Sequence, residues 1–150
     1  MNKKLFLACL GLALCAGAGY APSVLAQAKP DVLVKQRQAA MTLQGKYFGP
    51  LAAMASGKAP YDATVAARNA AYLDALIKMP WDGFQPSTKD EKSRALPAVY
   101  DDAAKFKEAQ ERAQTAVSHL VAAKDEASFK AAAGEVGKAC GACHETFRAK

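Results

Sequence analysis

The sequence predicts an all-α protein, an antiparallel up-down-up-down bundle of four helices. Apolar residues recur every three or four positions in four long segments, the spacing that places them on one face of an α-helix. No stretch alternates apolar and polar residues as a half-buried strand would. Short links after the first and third segments favour antiparallel neighbours, because a chain that turns back at once packs against the helix it has just left.

The first helix is predicted from about Asp31 to Ser56, directly after Pro30. Pro50 lies near its end and predicts a kink or a separate last turn, because proline removes one backbone donor of the helix. Residues 57–60 form the link to the next helix. The inward positions are Leu33 or Val34, Arg37, Met41, Gln44 or Gly45, and Phe48.

The second helix is predicted from Asp62, a favourable N-cap, to Met79 before Pro80. Its inner stripe consists of Val65, Asn69, Tyr72, Leu73, Leu76 and Ile77. Residues 80–97 then form a long loop with three prolines and a charged centre. Loops of this length in compact domains are often functional. The apolar residues at its start, Trp81 and Phe84, either cap the core or also wall a binding pocket.

The third and fourth helices are predicted from about Ala98 to Ala123 and from about Glu126 to Arg148. The third has its stripe at Val99, Ala103, Phe106, Gln110, Ala113, Val117 and Leu120. Alternating steps of four and three residues are typical of helices that pack at a shallow angle in a bundle. The fourth repeats the rhythm at Phe129, Ala132 or Ala133, Val136, Cys140, Cys143 and Phe147.

Residues 140–144 read Cys-Gly-Ala-Cys-His, the attachment signature of a c-type haem. Each thiol can add to one haem vinyl group. On a helix, spacings of three and four residues place Cys140, Cys143 and His144 on one side. His144 is therefore the predicted proximal iron ligand and the predicted metal-binding residue.

Three other interpretations of this motif are less favoured. A structural zinc site needs four ligands, but the only other histidine is His119 and the only other cysteines are Cys9 and Cys15. A thioredoxin-type redox pair normally follows a strand, whereas this pair ends a helical pattern. A buried cysteine pair or a structural disulfide is the third alternative. One covalent haem c, bound through Cys140 and Cys143, is the predicted cofactor.

The first 26 residues are predicted to be a cleaved signal peptide, which leaves residues 27–150 as one haem-binding domain. Lys3 and Lys4 precede an apolar run over residues 5–18, and the small residue Ala26 directly precedes position 27. This run is shorter than the roughly 20 residues of a membrane-spanning helix, so no membrane anchor is expected after cleavage. A lipidated Cys15 is the alternative, but Leu14 is bulkier than the residue expected before such a cysteine. Export to the periplasm suits haem attachment outside the cytoplasm.

The basic charge of the chain does not indicate nucleic-acid binding. Removal of Lys3 and Lys4 would lower the formal net charge from +6 to +4. The remaining lysines are scattered along the chain rather than clustered with aromatic residues. This distribution is typical of a solvated surface and not of a nucleic-acid-binding site.

The sequence resembles the class II c-type cytochromes, and within them the cytochrome c′ family. The motif lies at the extreme C-terminus, whereas class I cytochromes c carry it near the N-terminus. The resemblance extends over essentially all of residues 27–150. Its most specific segments are residues 34–41, 59–63, 79–84 and 140–148.

The resemblance implies roles for five further residues. Met41 would lie over the distal face of the haem, and Arg37 near a haem propionate. Trp81 and Phe84 resemble the distal wall of the pocket. Arg148 would lie beside the proximal face, where it could interact with His144 or with a ligand bound there, although a helix C-terminus favours a basic residue for its dipole alone.

The implied function depends on the sixth position of the iron. If Met41 only packs over the metal, the haem is five-coordinate and high-spin. An apolar pocket of this kind binds NO and CO but disfavours O₂, and single-electron transfer is a second capability. If Met41 coordinates, the haem is low-spin and six-coordinate, and the protein is only an electron carrier. The resemblance also implies a homodimer through the first two helices and leaves room for a redox partner protein.

No enzymatic activity is expected. A haem peroxidase needs a distal acid and base, and the sequence offers no histidine at that position.

Overall fold

A computed structural model describes residues 28–150, and the predicted signal peptide at 1–26, with Cys9 and Cys15, lies outside this part of the chain. The described residues form five α-helices and two short 3₁₀ helices. The α-helices are α1 (Pro30–Ala55), α2 (Ala63–Leu76), α3 (Ala98–Asp101), α4 (Ala103–Ala122) and α5 (Glu126–Phe147), and the 3₁₀ helices are Trp81–Phe84 and Pro86–Thr88. Residues 28–150 contain no β-strand, only one isolated β-bridge.

Four of these helices form the bundle, since α3 is a single turn. α1 packs against α2 and α5, while α4 packs against α5 and α2. Each long helix thus has two neighbours, and the predicted all-α four-helix bundle is confirmed. Within residues 28–150, no helix combines the length and the apolar character that crossing a membrane requires.

α1 runs through Pro50 to Ala55 without interruption, so the predicted separate last turn does not form. Leu51 and Met54 follow the proline and are almost fully buried in the core. Their packing keeps the last turn helical although Pro50 lacks a backbone donor.

α2 begins as predicted but ends earlier. The Asp62 carboxylate accepts a hydrogen bond of 3.0 Å from the Val65 backbone N–H, which caps the helix. The helix ends at Leu76 rather than Met79. Tyr72, predicted to face inward, has 47% of its surface exposed. Its ring packs instead against Tyr47 of α1, with ring centroids 4.9 Å apart.

The predicted third helix is broken at Asp102, which separates α3 from α4. Asp102 has the non-helical dihedral angles φ −126° and ψ 61°. Its carboxylate accepts a hydrogen bond from the Lys105 backbone N–H at 3.2 Å and so begins a new helix. Ala103 is consequently the first residue of α4 and is exposed, not part of the inner stripe. Phe106 is buried, as predicted.

The fourth helix has the predicted extent and a strong N-terminal cap. Asp125 and Ser128 form a capping box, in which each side chain bonds the other residue's backbone N–H. The Ser128 N–H lies 2.8 Å from the Asp125 carboxylate. Phe129 and Val136 are buried on the inner face.

The apolar core consists of two clusters. The larger one includes Leu51, Leu73, Val117, Phe129 and Val136, and joins all four long helices. The smaller one contains Val99, Phe106, Ala109 and Phe147 at the end of the bundle where α5 stops. Trp81 packs against both.

Gly83 allows the loop after α2 to lie directly against α1. A Cβ atom at this position would lie 2.7 Å from the Arg37 Cβ and 2.9 Å from the Leu33 carbonyl oxygen. We therefore expect Gly83→Ala to lower the free energy of unfolding by about 1–3 kcal/mol, the usual cost of overpacking. Chemical denaturation of the haem-loaded protein measures this change.

Gly134→Ala provides the control, because a Cβ there would meet nothing within 4 Å. In a helix interior this change is expected to be stabilising by roughly 0.5–1 kcal/mol. Equal effects of the two substitutions would contradict the close approach at Gly83.

Candidate haem site

A cavity of about 620 Å³ is lined by members of both apolar clusters. Its volume falls within the roughly 300–1,000 Å³ typical of cofactor and ligand sites. The structure brings all eight residues predicted for the site to the wall of this one cavity: Arg37, Met41, Trp81, Phe84, Cys140, Cys143, His144 and Arg148. They come from α1, from the loop after α2 and from the end of α5.

The three residues of the attachment motif occupy the last two turns of α5. Cys140, Cys143 and His144 are all half-buried, and both thiols are free. The motif lies on a helix rather than after a strand, unlike a thioredoxin-type pair. Within residues 28–150, the side chains form no group of three or more His, Cys, Asp or Glu that could hold a metal ion.

The surroundings favour the uncharged forms of these groups. Burial raises the pKa of the Cys140 thiol. Burial first, and then the neighbouring Cys140, raises the pKa of Cys143 against the opposing charge of Arg112. Burial also lowers the pKa of His144, helped by the positive charges of Arg148 and Arg94. A neutral imidazole has a free lone pair, the form in which histidine binds a metal.

Four aromatic side chains form one continuous wall. Ring centroids are 6.3 Å apart for Trp81 and Phe84, 4.9 Å for Phe84 and Phe106, and 5.1 Å for Phe106 and Phe147. Such spacings are those of favourable aromatic pairs. Sequence reasoning assigned Phe106 and Phe147 only to the core. The position of Phe147, three residues after His144, was the available signal that it also belongs to the site.

Arg37 is buried, with 3% of its surface exposed, and it holds the loop of residues 80–97. Its guanidinium lies 4.3 Å from the Phe84 ring centroid. It donates hydrogen bonds to the Gly83 carbonyl, to Thr88 Oγ1 at 3.0 Å, to Tyr100 OH at 3.3 Å and to Ser93 Oγ at 2.9 Å. None of these acceptors is a carboxylate. Sequence reasoning missed this anchoring role, because its acceptors come from distant positions in the chain.

Met41 follows Arg37 by one turn of α1 and is half-buried at the cavity. Gln44, a further turn along, also lines it and donates from Nε2 to the Leu76 carbonyl at 2.9 Å. The cavity is therefore not wholly without polar groups, contrary to the sequence-based expectation. The Gln44 amide is engaged at the end of α2.

The residues present fit a haem. Aromatic and aliphatic walls suit a porphyrin, two thiols suit its vinyl groups, and His144 suits its iron. Two observations indicate where the propionate carboxylates of the haem would bind. Trp81 Nε1 is buried without a hydrogen-bond partner among residues 28–150. Arg37 is a buried cation without a carboxylate among its hydrogen-bond acceptors in the same part of the chain, and a buried charge normally requires an opposite one.

A bundle of four long helices with a CXXCH motif on its last helix defines a c-type cytochrome of the helical-bundle class. The profile of the family described as Cytochrome C' matches residues 32–148. The cytochrome c' of Rubrivivax gelatinosus is 48% identical, covering 81% of this chain and 98% of the relative. That of Alcaligenes xylosoxydans xylosoxydans is 40% identical, covering 82% and 98%.

Solved structures agree with these matches. The crystal structure of cytochrome c' from Rubrivivax gelatinosus superposes with a TM-score of 0.77 at 46% identity, covering 81% of this chain and 98% of that one. A nitric oxide complex of a single-residue variant from Alcaligenes xylosoxidans gives 0.76 at 40% identity, covering 83% and 99%. The chain belongs to the cytochrome c′ family. It is a c-type haem protein with one covalent haem c, and Cys140 and Cys143 are the cysteines of its CXXCH motif.

Proposed function

We propose that this protein binds NO and CO at a five-coordinate, high-spin haem iron held by His144, in the periplasm after removal of residues 1–26. The observation that carries the proposal is the lining of the cavity. His144 is the one histidine along it, and Met41, Trp81 and Phe84 supply apolar and aromatic surface elsewhere. Related structures support it, since single-residue variants of cytochrome c prime from Alcaligenes xylosoxidans have been solved with nitric oxide and with carbon monoxide.

Each lining residue has a role in this proposal. The haem supplies an iron that binds a diatomic ligand or exchanges one electron. His144 offers it a neutral imidazole nitrogen, because burial and two arginines lower its pKa. Arg37 and Trp81 present buried donors to the propionates. Arg148 lies beside His144, where it can interact with this ligand or with a gas on the same side.

Met41 limits access to the other side of the iron in this account. Replacing it with alanine removes the bulk of the side chain from the cavity. We expect Met41→Ala to raise the rate of CO binding to the ferrous protein by at least about tenfold, which corresponds to about 1.4 kcal/mol of barrier. Flash photolysis or stopped-flow mixing measures the rate.

Met79→Ala is the matched control, because Met79 is 56% exposed and does not line the cavity. It is expected to leave the rate unchanged. A Met41→Ala rate equal to that of Met79→Ala would remove Met41 from the gas site.

A second function is favoured by one observation, the thioether of Met41 in the same cavity as His144. Methionine and histidine together are an established axial pair for haem iron and leave no free position. The protein would then be a low-spin electron carrier. In that case Met41→Leu would convert a low-spin ferric spectrum into a high-spin one, whereas a non-ligating Met41 predicts no such conversion.

We also propose a homodimer through α1 and α2. Leu43 of α1 is 41% exposed, and Tyr72 of α2 is 47% exposed. Ala66 of the same helix is buried in the core and cannot contribute. Sedimentation equilibrium tests the dimer, and a monomer at micromolar concentration would contradict it.

Recovery of a chain beginning at Gln27 from the periplasmic fraction tests the export proposal.

A further inference from the structure

The chain that follows His144 is paired with the end of the loop of residues 80–97. The Leu96 backbone N–H donates to the Phe147 carbonyl at 3.0 Å, and the Ala149 N–H donates to the Arg94 carbonyl at 2.8 Å. These bonds form an antiparallel bridge between Ala95 and Arg148. The last residues of a chain are poorly ordered unless such contacts tie them down.

The Arg94 side chain strengthens this pairing with two further hydrogen bonds. Its Nε and Nη2 atoms both donate to the Ala149 carbonyl, at 3.0 and 2.8 Å. Two donors in the fixed fork of a guanidinium can hold a single oxygen in this way, which the one ammonium group of lysine cannot reproduce. Arg94 thus binds Ala149 through its backbone and its side chain together.

Arg148 lies between the two clamped residues. Its backbone is extended, with φ −128° and ψ 129°, and its N–H donates to the His144 carbonyl at 3.2 Å. The side chains of Arg94 and Arg148 line the cavity together with His144.

We propose that Arg94 is a positioning residue that holds residues 147–149 in place and thereby keeps Arg148 beside His144. This inference rests on the proposed function, in which His144 ligates the iron and Arg148 acts beside it. The loop that begins with the aromatic wall at Trp81 would then also organise the opposite end of the site. The clamp consists of four hydrogen bonds, two between backbone groups and two from the Arg94 side chain. Loss of this side chain removes the latter two.

Amide hydrogen exchange of the haem-loaded ferrous CO protein tests the clamp. We expect Arg94→Ala to accelerate exchange at the Ala149 and Leu96 amides by at least about tenfold, as loss of local protection predicts. Arg94→Lys retains the charge without the fork and should also accelerate exchange. Unchanged exchange at both amides in Arg94→Ala would overturn the proposal.

Arg112→Ala is the control for loss of charge. The Arg112 charge acts on Cys143, but its guanidinium forms its ion pair with Glu108, at 3.8 Å, and not with residues 147–149. It should leave exchange at the Ala149 and Leu96 amides unchanged. Acceleration equal to that of Arg94→Ala would mean that charge, not the clamp, protects these amides, and would overturn the proposal.

The iron–histidine stretching frequency of the ferrous protein tests whether Arg94 acts through Arg148. Arg94→Ala is expected to shift this frequency in the unmodified protein but not in an Arg148→Ala background. Equal shifts in both backgrounds, or no shift in either, would overturn the positioning role. Failure of the proposed gas-binding function is distinguishable, because it would appear as a missing CO adduct in the unmodified protein.

Discussion

Replacing Cys140 and Cys143 together with alanine is expected to give a protein from which acidified organic solvent extracts the haem, whereas the unmodified protein retains it. The two thiols are the attachment residues of the motif, and both line the cavity. Each single variant should keep one thioether bond. The pyridine haemochrome spectrum distinguishes two, one and no saturated vinyl groups, and an unchanged spectrum in the double variant would contradict the assignment.

The same double variant is expected to lose cooperative unfolding once haem has been removed. At roughly 24 cal/mol per Å³ of empty volume, a dry cavity of about 620 Å³ would cost about 15 kcal/mol, the upper end of the about 5–15 kcal/mol that stabilises a domain. The haem-free chain must therefore collapse around this space or admit water. Calorimetry measures the transition, and a sharp transition like that of the haem-loaded protein would show that the two apolar clusters are stable without the cofactor.

Replacing Arg37 with methionine is expected to lower the free energy of unfolding by at least about 3 kcal/mol, since each hydrogen bond to a charged donor contributes about 1.5–3 kcal/mol. The buried guanidinium donates to three acceptors in the loop of residues 80–97 and to a fourth, Tyr100, in α3. Arg37→Lys should recover only part of the loss, because lysine lacks the planar fork. Denaturant titration of the haem-loaded protein gives the values.

Lys35→Met is the control for this prediction. Lys35 lies on the same helix, and its side chain is 75% exposed, with a single ion pair to Asp31. A surface pair of this kind contributes little. If Lys35→Met and Arg37→Met destabilise the protein equally, the loop is not held by Arg37.

The helices and the attachment motif could be predicted because their signals are local. The spacing of Phe129, Val136 and Cys140 defines one face of α5 without reference to any other segment. The break at Asp102 was missed for the same reason. The apolar spacing continues from Val99 to Phe106 across it, and only the capping bond of Asp102 marks the new helix.

The roles missed at the site depend on contacts between distant segments. Arg37 was predicted for the site but not as the residue that anchors the loop, and Arg94 was not predicted for the site at all. Arg37 donates hydrogen bonds to Thr88 and Tyr100, which lie 51 and 63 positions away in the sequence. Arg94 clamps a carbonyl 55 positions away. Arg37 occupies an inward position of its helical pattern, which predicts burial but does not identify its acceptors. Arg94 carries no local pattern that separates it from a solvated surface charge. Their functions follow only from the tertiary fold.

The absorption spectra of the unmodified ferric and ferrous protein, recorded with and without CO, test the central proposal most directly. A five-coordinate iron held by His144, with Met41 packed nearby but not bound, predicts a high-spin ferric spectrum and a ferrous CO adduct. A low-spin ferric spectrum together with no CO adduct would contradict this account and identify Met41 as the sixth ligand.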